Sequence, residues 1–438
     1  MEWYMALLLL LGSLVALLLL GLPVVFAFFT VNMIGAFYFL GGEPGLSQVV
    51  RNAVDAVTTF SLAPIPLFLL MGEIMFRTGI AQNAIDAMDR LIARVPGRLS
   101  LVAIVGGTVF STLSGSTLAN TAILGSTLMP EMRKRGYHPS IAMGPILGTG
   151  GIAMLIPPSA LAVILASLGQ ISVADLLVAG ILPGLTMAGL FFVYVVVRCS
   201  LNPALAPAYE IAHMSARERF MPFLVYVVPL FGIFVVVVGS ILAGIASPTE
   251  SAALGSVSSL LAAAAYRALT WSNFMHALRE TAKISVMILF IICASITFSQ
   301  ILAFSGATNG LLALITALNP DPLVLVIFML CVLLFLGAFM DQLSMMMITL
   351  PFFIPLLNAA GVDVVWFGVL MLIMLEIGFT TPPFGLLLFV MKGVAPPETT
   401  MQQIFAAALP FIALMLLTVV LIMIFPPIAT WLPTFLRV

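Results

Sequence analysis

Phe110-Ser-Thr-Leu-Ser-Gly-Ser-Thr-Leu-Ala-Asn120 lies at the centre of an otherwise apolar run from Leu99 to Met132, and its reading decides the fold. The run is 34 residues long, whereas one helical crossing of the hydrocarbon core takes about 20 residues. It is too long for one crossing and too short for two. Basic residues flank it on both sides, Arg90, Arg94 and Arg98 before it and Arg133, Lys134 and Arg135 after it. Lys and Arg gather on the cytoplasmic face, so the chain is expected to enter and leave by the same face. That makes a re-entrant hairpin with Ser114-Gly115-Ser116 at its tip. Irregular backbone survives at membrane depth only where it is buried in protein or lines a wet cavity, and a hydroxyl-rich tip there reads as a binding site.

Composition agrees with a membrane setting. The 438 residues are 62% hydrophobic and 8% charged, with a mean hydropathy of +1.24, more apolar surface than a soluble domain can hide. A net charge of −1 argues neither for nor against a nucleic-acid partner, and the scarcity of basic clusters outside short loops argues against one. Cys199, Cys293 and Cys331 are far apart, as are His138, His213 and His276, so neither a disulfide framework nor a metal-ligand spacing is visible. Met5–Leu20 lacks a basic n-region and a small-residue cleavage site and reads as a retained helix.

Outward from the hairpin, Met5–Leu20 and Val24–Leu40 read as two helices joined at Gly21-Leu22-Pro23, and Glu43–Thr59 as an interfacial helix. Ser61–Phe76 is a third crossing and Ala81–Val95 an amphipathic surface helix. Ser140–Leu168 is a crossing interrupted by Gly148-Thr149-Gly150-Gly151 and Ile156-Pro157-Pro158-Ser159. Proline removes a helical hydrogen bond and clashes with the preceding turn, so this helix is expected to break in mid-membrane. Ala174–Val197 follows, and polar Asn202–Phe220 is the best boundary in the chain. Beyond it lie Phe223–Ala243, Ala252–Tyr266 and Ser285–Phe304, then Leu323–Leu357, a second run of re-entrant length with the polar centre Gly337-Ala-Phe-Met-Asp341-Gln342. Val364–Val390 is a second broken helix, interrupted at Thr380-Thr381-Pro382-Pro383, and Gln403–Phe425 is the last crossing.

The expected fold is an all-α polytopic membrane protein with about ten transmembrane helices. Two re-entrant hairpins, about 99–132 and 323–357, and two broken helices, about 140–168 and 364–390, complete it. Placing the first hairpin's flanks in the cytoplasm leaves only Arg51 and Arg437 of the sixteen Lys and Arg residues outside, with both termini on the outer side.

Sliding the sequence by 225 residues aligns Pro130 with Pro355, Gly136 with Gly361, Ser116 with Asp341, and Pro157-Pro158 with Pro382-Pro383. Five crossings separate the hairpins, an odd number, so the halves are inverted: a first repeat over 1–200, a cytoplasmic linker over 201–221, and a second repeat over 222–438. Inverted repeats with interrupted helices in matching positions point to a secondary transporter, with the site where the tips face the breaks.

Hydroxyls at Ser114, Ser116 and Thr117, with carbonyls freed by a helix break, suit a hard monovalent cation such as Na⁺, while helix N-termini beyond each break attract anions. The plainer reading is that such hydroxyls return hydrogen bonds to their own helix, and that the prolines are simple kinks. Asp341 at mid-membrane calls for a cation partner, or else is a buried protonated acid; Thr380 and Thr381 stand ready to complete a second cation site. Glu73, four residues before Arg77, reads as a local ion pair, and Glu376, one turn before the second break, as either structural or functional. Thr117, Asn120, Ser299 and Gln300 are candidate substrate contacts, with helix packing the competing role for the last two.

The helix pair around Gly21-Leu22-Pro23, Pro66-Leu-Phe-Leu-Leu-Met-Gly-Glu73, the Ser114-Gly-Ser116 tip, Ile156-Pro-Pro-Ser159 and the run from Asp341 to Pro355 together resemble the large membrane subunit of TRAP transporters, over essentially the whole chain. The resemblance implies a small four-helix membrane subunit, a periplasmic solute-binding protein delivering an organic anion, Na⁺ coupling, an elevator motion and a bacterial inner-membrane location. It also implies a first Na⁺ site at Ser114, Gly115 and Ser116 with Gly148, Thr149, Gly150, Pro157, Pro158 and Ser159. A second would fall at Gly337, Asp341 and Gln342 with Thr380, Thr381, Pro382 and Pro383. The small subunit is expected to be a separate chain, since the first crossing begins at the very start. The alternative is a self-sufficient Na⁺- or H⁺-coupled organic-anion carrier, or a Na⁺/H⁺ antiporter, of the same superfamily. A membrane-embedded enzyme is disfavoured, since no His/Glu pair, zinc spacing or Ser/Lys dyad falls at membrane depth. A channel is disfavoured because the hairpins plug a path.

Overall fold

The computed structural model describes residues 2–91, 95–114, 116–207, 215–382 and 385–436. Every regular element among them is helical, as a chain in lipid requires when it forms no closed barrel. Helix α1 (Trp3–Leu19) turns into α2 (Val24–Phe39) through Gly21, whose φ of 84° suits a residue without a Cβ. The expected interfacial segment is α3 (Glu43–Thr58), with Pro44 in its first turn. Helix α4 (Pro64–Arg77) ends in the anticipated local ion pair, Arg77 Nε lying 3.2 Å from Glu73 Oε2. Amphipathic α5 (Ile80–Leu91) lies before α6 (Arg98–Ser114) and is tied to it by Arg98 Nη2, 2.9 Å from Asp89 Oδ2.

The stretch that opened the reading forms two helices, α6 and α7 (Thr117–Lys134), packed on each other. The first broken helix is built in three pieces: α8 (Pro139–Thr149), the single turn α9 (Ile152–Leu155) and α10 (Ala160–Leu168). Its axis bends by 47° at the 156–159 break. Next come α11 (Val173–Ala179) and α12 (Ile181–Leu201), divided at Gly180, where a side chain would strike the Leu155 carbonyl.

After the polar boundary, α13 (Ala216–Pro222) passes through a π-helical turn at Phe223–Val227 into α14 (Val228–Leu242). Pro222 cannot close the regular ladder, which accounts for the looser turn. A Ser247–Glu250 capping box starts α15 (Pro248–Ala265). Helix α16 (Trp271–Phe304) has 34 residues, about 50 Å at the helical rise against a core about 30 Å thick. The expected crossing Ser285–Phe304 is its apolar half; His276, Arg279, Glu280 and Lys283 ride on the other. Two further helices pack in the second half, α18 (Pro322–Gly337) and α19 (Gln342–Ala359). The second broken helix is α20 (Val364–Thr380) and α21 (Leu386–Val394), followed by α22 (Met401–Ile424).

Two elements depart from the expectation. Helix α17 (Ala307–Leu318) fills a stretch to which the sequence reading assigned no element, because an apolar run of this length is too short to read as a crossing. It packs on α1, with Gly310 against the Trp3 ring. Helix α23 (Pro427–Leu436) likewise extends the fold past the last expected crossing. Among the described residues six helices are long and apolar enough to cross a membrane, or seven counting the bent α8–α10 span, and several apolar helices are shorter. The chain is a polytopic membrane protein.

The centre of the molecule is α20, buried without interruption from Trp366 to Thr380. Helix α8 is buried from Ile141 to Thr149. A helix apolar on all faces belongs inside, and both broken helices obey that rule. On the periphery, Asn52 Nδ2 of α3 donates to Thr297 Oγ1 (3.2 Å) and Gln300 Oε1 (2.8 Å) of α16, and Asn32 Nδ2 of α2 donates to the Ala294 carbonyl at 2.7 Å. These bonds weld α2, α3 and α16 into one wall.

Candidate functional site

The polar residues singled out at the turns are, first of all, helix caps. Ser116 Oγ accepts from Ala119 N at 3.3 Å and starts α7; Ser159 Oγ, fully buried, accepts from Ala162 N at 3.2 Å and starts α10. Asp341 starts α19: its Oδ1 accepts from Leu343 N (3.0 Å) and Ser344 N (3.1 Å), and its Oδ2 accepts from Ser344 Oγ. Capping satisfies orphan backbone donors, and a carboxylate at a helix N-terminus also meets the positive end of the dipole. The Asp341 charge is therefore compensated where it stands. The hydroxyls of Thr380 and Thr381 donate to carbonyls of their own helix, Thr380 Oγ1 to Glu376 O at 2.8 Å and Thr381 Oγ1 to Ile377 O. Donation uses the hydroxyl proton and leaves its lone pairs available to a cation.

The geometry converges on a different side chain. Glu376, in the last turn of α20, is completely buried. Its Oε2 accepts from Gln342 Nε2 at 3.0 Å and from Thr117 Oγ1 at 3.4 Å. Those donors are the first residues of α19 and α7, so one carboxylate oxygen holds the starts of both helices. Thr117 Oγ1 also lies 3.2 Å from the Gly150 carbonyl, at the break between α8 and α9. A Cβ on Gly150 would lie 2.8 Å from Glu376 Oε1, and one on Gly151 would lie 2.9 Å from its Cγ. The two glycines let the carboxylate lie against the first broken helix.

One turn further along α7, Asn120 Nδ2 donates to Thr149 Oγ1 at 3.4 Å, while Asn120 Oδ1 and Thr121 Oγ1 are buried without a hydrogen-bond partner. The glycines at the expected sites serve close packing. Gly148 accepts the Phe411 ring of α22, and Gly337 meets Gly378 backbone to backbone where α18 crosses α20. Pro157 and Pro158 are joined by a cis peptide and Pro382 lies in the turn after α20. Gln300 is engaged with Asn52 in the peripheral wall and Ser299 is half-buried beside it. Gly115, Pro383 and the Ser114 side chain lie outside the described residues.

Thus Thr117, Asn120, Thr149, Gly150, Gln342 and Glu376 come together, Ser116, Ser159 and Asp341 cap the surrounding helices, and Gln300 stands apart. The oxygen-only donor set, with one bare carboxylate oxygen at Glu376 Oε1, fits a hard monovalent cation. Sequence reading left Glu376 undecided, although the offset of 225 that pairs the tips also pairs Thr117 with Gln342 and Gly151 with Glu376.

Comparison with known proteins bears on the family. The family model described as tripartite ATP-independent periplasmic transporter, DctM component, matches residues 11–428. The C4-dicarboxylate TRAP transporter large permease protein DctM of Pseudomonas aeruginosa is 31% identical over 384 residues, 86% of this chain and 87% of that one. The sialic acid TRAP transporter large permease protein SiaM of Vibrio cholerae is 29% identical over 95% of this chain and 96% of its own length. In fold, the chain resembles the Alcanivorax borkumensis YdaH transporter, with a TM-score of 0.60 at 16% identity over 91% of this chain and 90% of that one. This chain belongs to the DctM family, the large permease components of tripartite ATP-independent periplasmic transporters, and is a transporter subunit rather than an enzyme.

Proposed function

We propose that this chain is the large permease of a Na⁺-coupled, binding-protein-dependent importer of a carboxylate-bearing solute in the bacterial inner membrane. The observation that carries the reading is the convergence of two capped helix starts, at Thr117 and Gln342, on the buried Glu376 carboxylate beside the break at Gly150. Two helix N-termini aimed into one buried place make an environment for an anionic solute without any Lys or Arg at the tips. Relatives named for C4-dicarboxylates and for sialic acid support a solute bearing a carboxylate.

In this reading the chain has about ten crossings, and α6–α7 and α18–α19 are re-entrant hairpins entering from opposite faces. Residues 1–200 and 222–438 are inverted repeats joined by a cytoplasmic linker, with both termini periplasmic. A first Na⁺ site draws on the Ser114–Ser116 tip with 148–150 and 157–159, and a second on Gly337, Asp341 and Gln342 with 380–383. Na⁺ bound there supplies positive charge in a site that has no basic side chain. Ser116, Ser159 and Asp341 hold the helix ends in register, and the Thr380 and Thr381 hydroxyls keep lone pairs free. The hairpins and broken helices move as an elevator against the wall of α2, α3 and α16. A small membrane subunit and a periplasmic solute-binding protein complete the assembly.

Reconstitution into proteoliposomes tests this directly. Uptake of a dicarboxylate or sugar acid should require an inward Na⁺ gradient, the small subunit and a liganded binding protein. Uptake by this chain alone would support a self-sufficient carrier instead, and uptake indifferent to Na⁺ would refute the coupling.

A further inference from the structure

Glu376 carries a problem that the caps around it do not solve. It has no exposed surface, its Oε2 holds only the Gln342 amide and the Thr117 hydroxyl, and its Oε1 is buried with no hydrogen-bond partner. A buried ionised carboxylate is tolerated only when a countercharge or a full set of donors meets it. No basic side chain among the described residues does so. The elements packed on α20 carry little charge. Lys392 of α21 is spent on the carbonyls of Pro397 and Thr399, and Asp175 is half-buried in the first turn of α11. Asp341 is spent capping α19. Helices α9, α10, α22 and α23 carry no ionisable side chain, and α18 carries only the exposed thiol of Cys331.

We propose that Glu376 Oε1 is the anionic ligand of a sodium ion held between the starts of α7 and α19. The inference rests on the Na⁺-coupled reading above and deepens it, by giving the joint between the two tips its own cation. The neighbours suit a small hard ion, since oxygen-only ligation is what such ions take. Thr117 has hydroxyl lone pairs to offer, and Gln342, which turns its amide nitrogen to Glu376, retains its carbonyl oxygen. Gly150 and Gly151 keep bulk away from the carboxylate, since a side chain on either would run into it. Both tips hang on this one group, so charge neutralisation at Glu376 ties α7 to α19, and its loss lets them separate. An anionic solute entering the same region meets a bare carboxylate unless the cation is already in place, which sets a binding order of cation first.

The test compares the purified full-length protein with Glu376→Gln by thermal unfolding, titrating NaCl against KCl at constant ionic strength and fixed pH. The isosteric amide retains a hydrogen-bonding head and removes the charge. The wild type should gain stability with NaCl and not with KCl. Glu376→Gln should be more stable than wild type without Na⁺, and its remaining Na⁺ response should be smaller, with half-saturation shifted upward by about tenfold, as for the loss of one charge-assisted contact. A variant whose Na⁺ response matches wild type overturns the proposal, as does one destabilised equally with and without Na⁺, which marks a purely structural side chain. A wild type that shows no Na⁺ stabilisation overturns the Na⁺-coupled reading itself. If Glu376→Gln does not fold, Glu376→Asp decides: a retained Na⁺ response with raised half-saturation supports the proposal, and an unchanged half-saturation refutes it.

Discussion

Replacing Gly378 by alanine should damage the core at the crossing of α18 and α20. A Cβ there would lie 2.6 Å from Gly337 Cα, 3.4 Å from its carbonyl carbon and 3.6 Å from its oxygen. Carbon atoms in ordinary contact sit about 3.5–4.0 Å apart, so α18 and α20 would have to part by about 1 Å. Neither partner has a side chain that could rotate away. Helix α20 is buried on every face, so moving it disturbs α18, α19 and α22 together. Overpacking in a filled core costs about 1–3 kcal/mol, and a backbone-on-backbone clash belongs at or above the upper end of that range. The assay is thermal unfolding of the detergent-purified protein, paired with uptake in proteoliposomes. Gly378→Ala should lower the unfolding temperature and abolish uptake, and truncation of a side chain elsewhere on α18 should not rescue it. A variant with wild-type stability and uptake would refute the close crossing.

Other expectations follow from single contacts. Gly148→Ala should also be harmful, because its methyl would meet Phe411 Cδ1 at 2.6 Å, but Phe411→Leu in the same protein should restore stability, measured by the same unfolding assay. Asp341→Ala should lose the α19 cap, about 0.5–2 kcal/mol, whereas Asp341→Asn should retain most of that stability and still raise the Na⁺ needed for half-maximal uptake; unchanged Na⁺ dependence in Asp341→Asn would take Asp341 out of the ion site. Arg98→Ala should loosen α5 from α6. Burial already pushes the Asp89 carboxyl above its usual range, and Arg98 pulls it back. Without the guanidinium the folded-state pKa rises further, so the variant's stability deficit should be largest at neutral pH and shrink on acidification, which unfolding measured across pH reads directly.

The helices that span long apolar runs were legible because length and proline position are local properties. The breaks, at 150–151 with 156–159 and after Thr380, stand beside the glycines and prolines that announced them, and the Glu73–Arg77 pair follows from spacing alone. Helix α17 escaped because a short apolar segment between polar ends reads equally as a loop, and only its packing on Trp3 decides it. In the site, residue type identified Ser116, Ser159 and Asp341 as polar groups at turns but not that each caps the helix it precedes, since the cap depends on where the helix starts. Glu376 was visible as a lone carboxylate in an apolar run. Its place at the meeting of α7, α9 and α19 is a tertiary fact that no local pattern encodes.

Whether α6–α7 and α18–α19 are hairpins entering from opposite faces of the bilayer is best measured by accessibility labelling of single cysteines, in a background lacking Cys199, Cys293 and Cys331. Cysteines replacing Arg90 and Arg135 should react only with reagent on the cytoplasmic side, and cysteines replacing Pro320 and Ala360 only with reagent on the periplasmic side. Positions 90 and 135 on different sides, or 320 and 360 on different sides, would make that helix pair a single broken crossing rather than a hairpin and remove the shared site at Glu376.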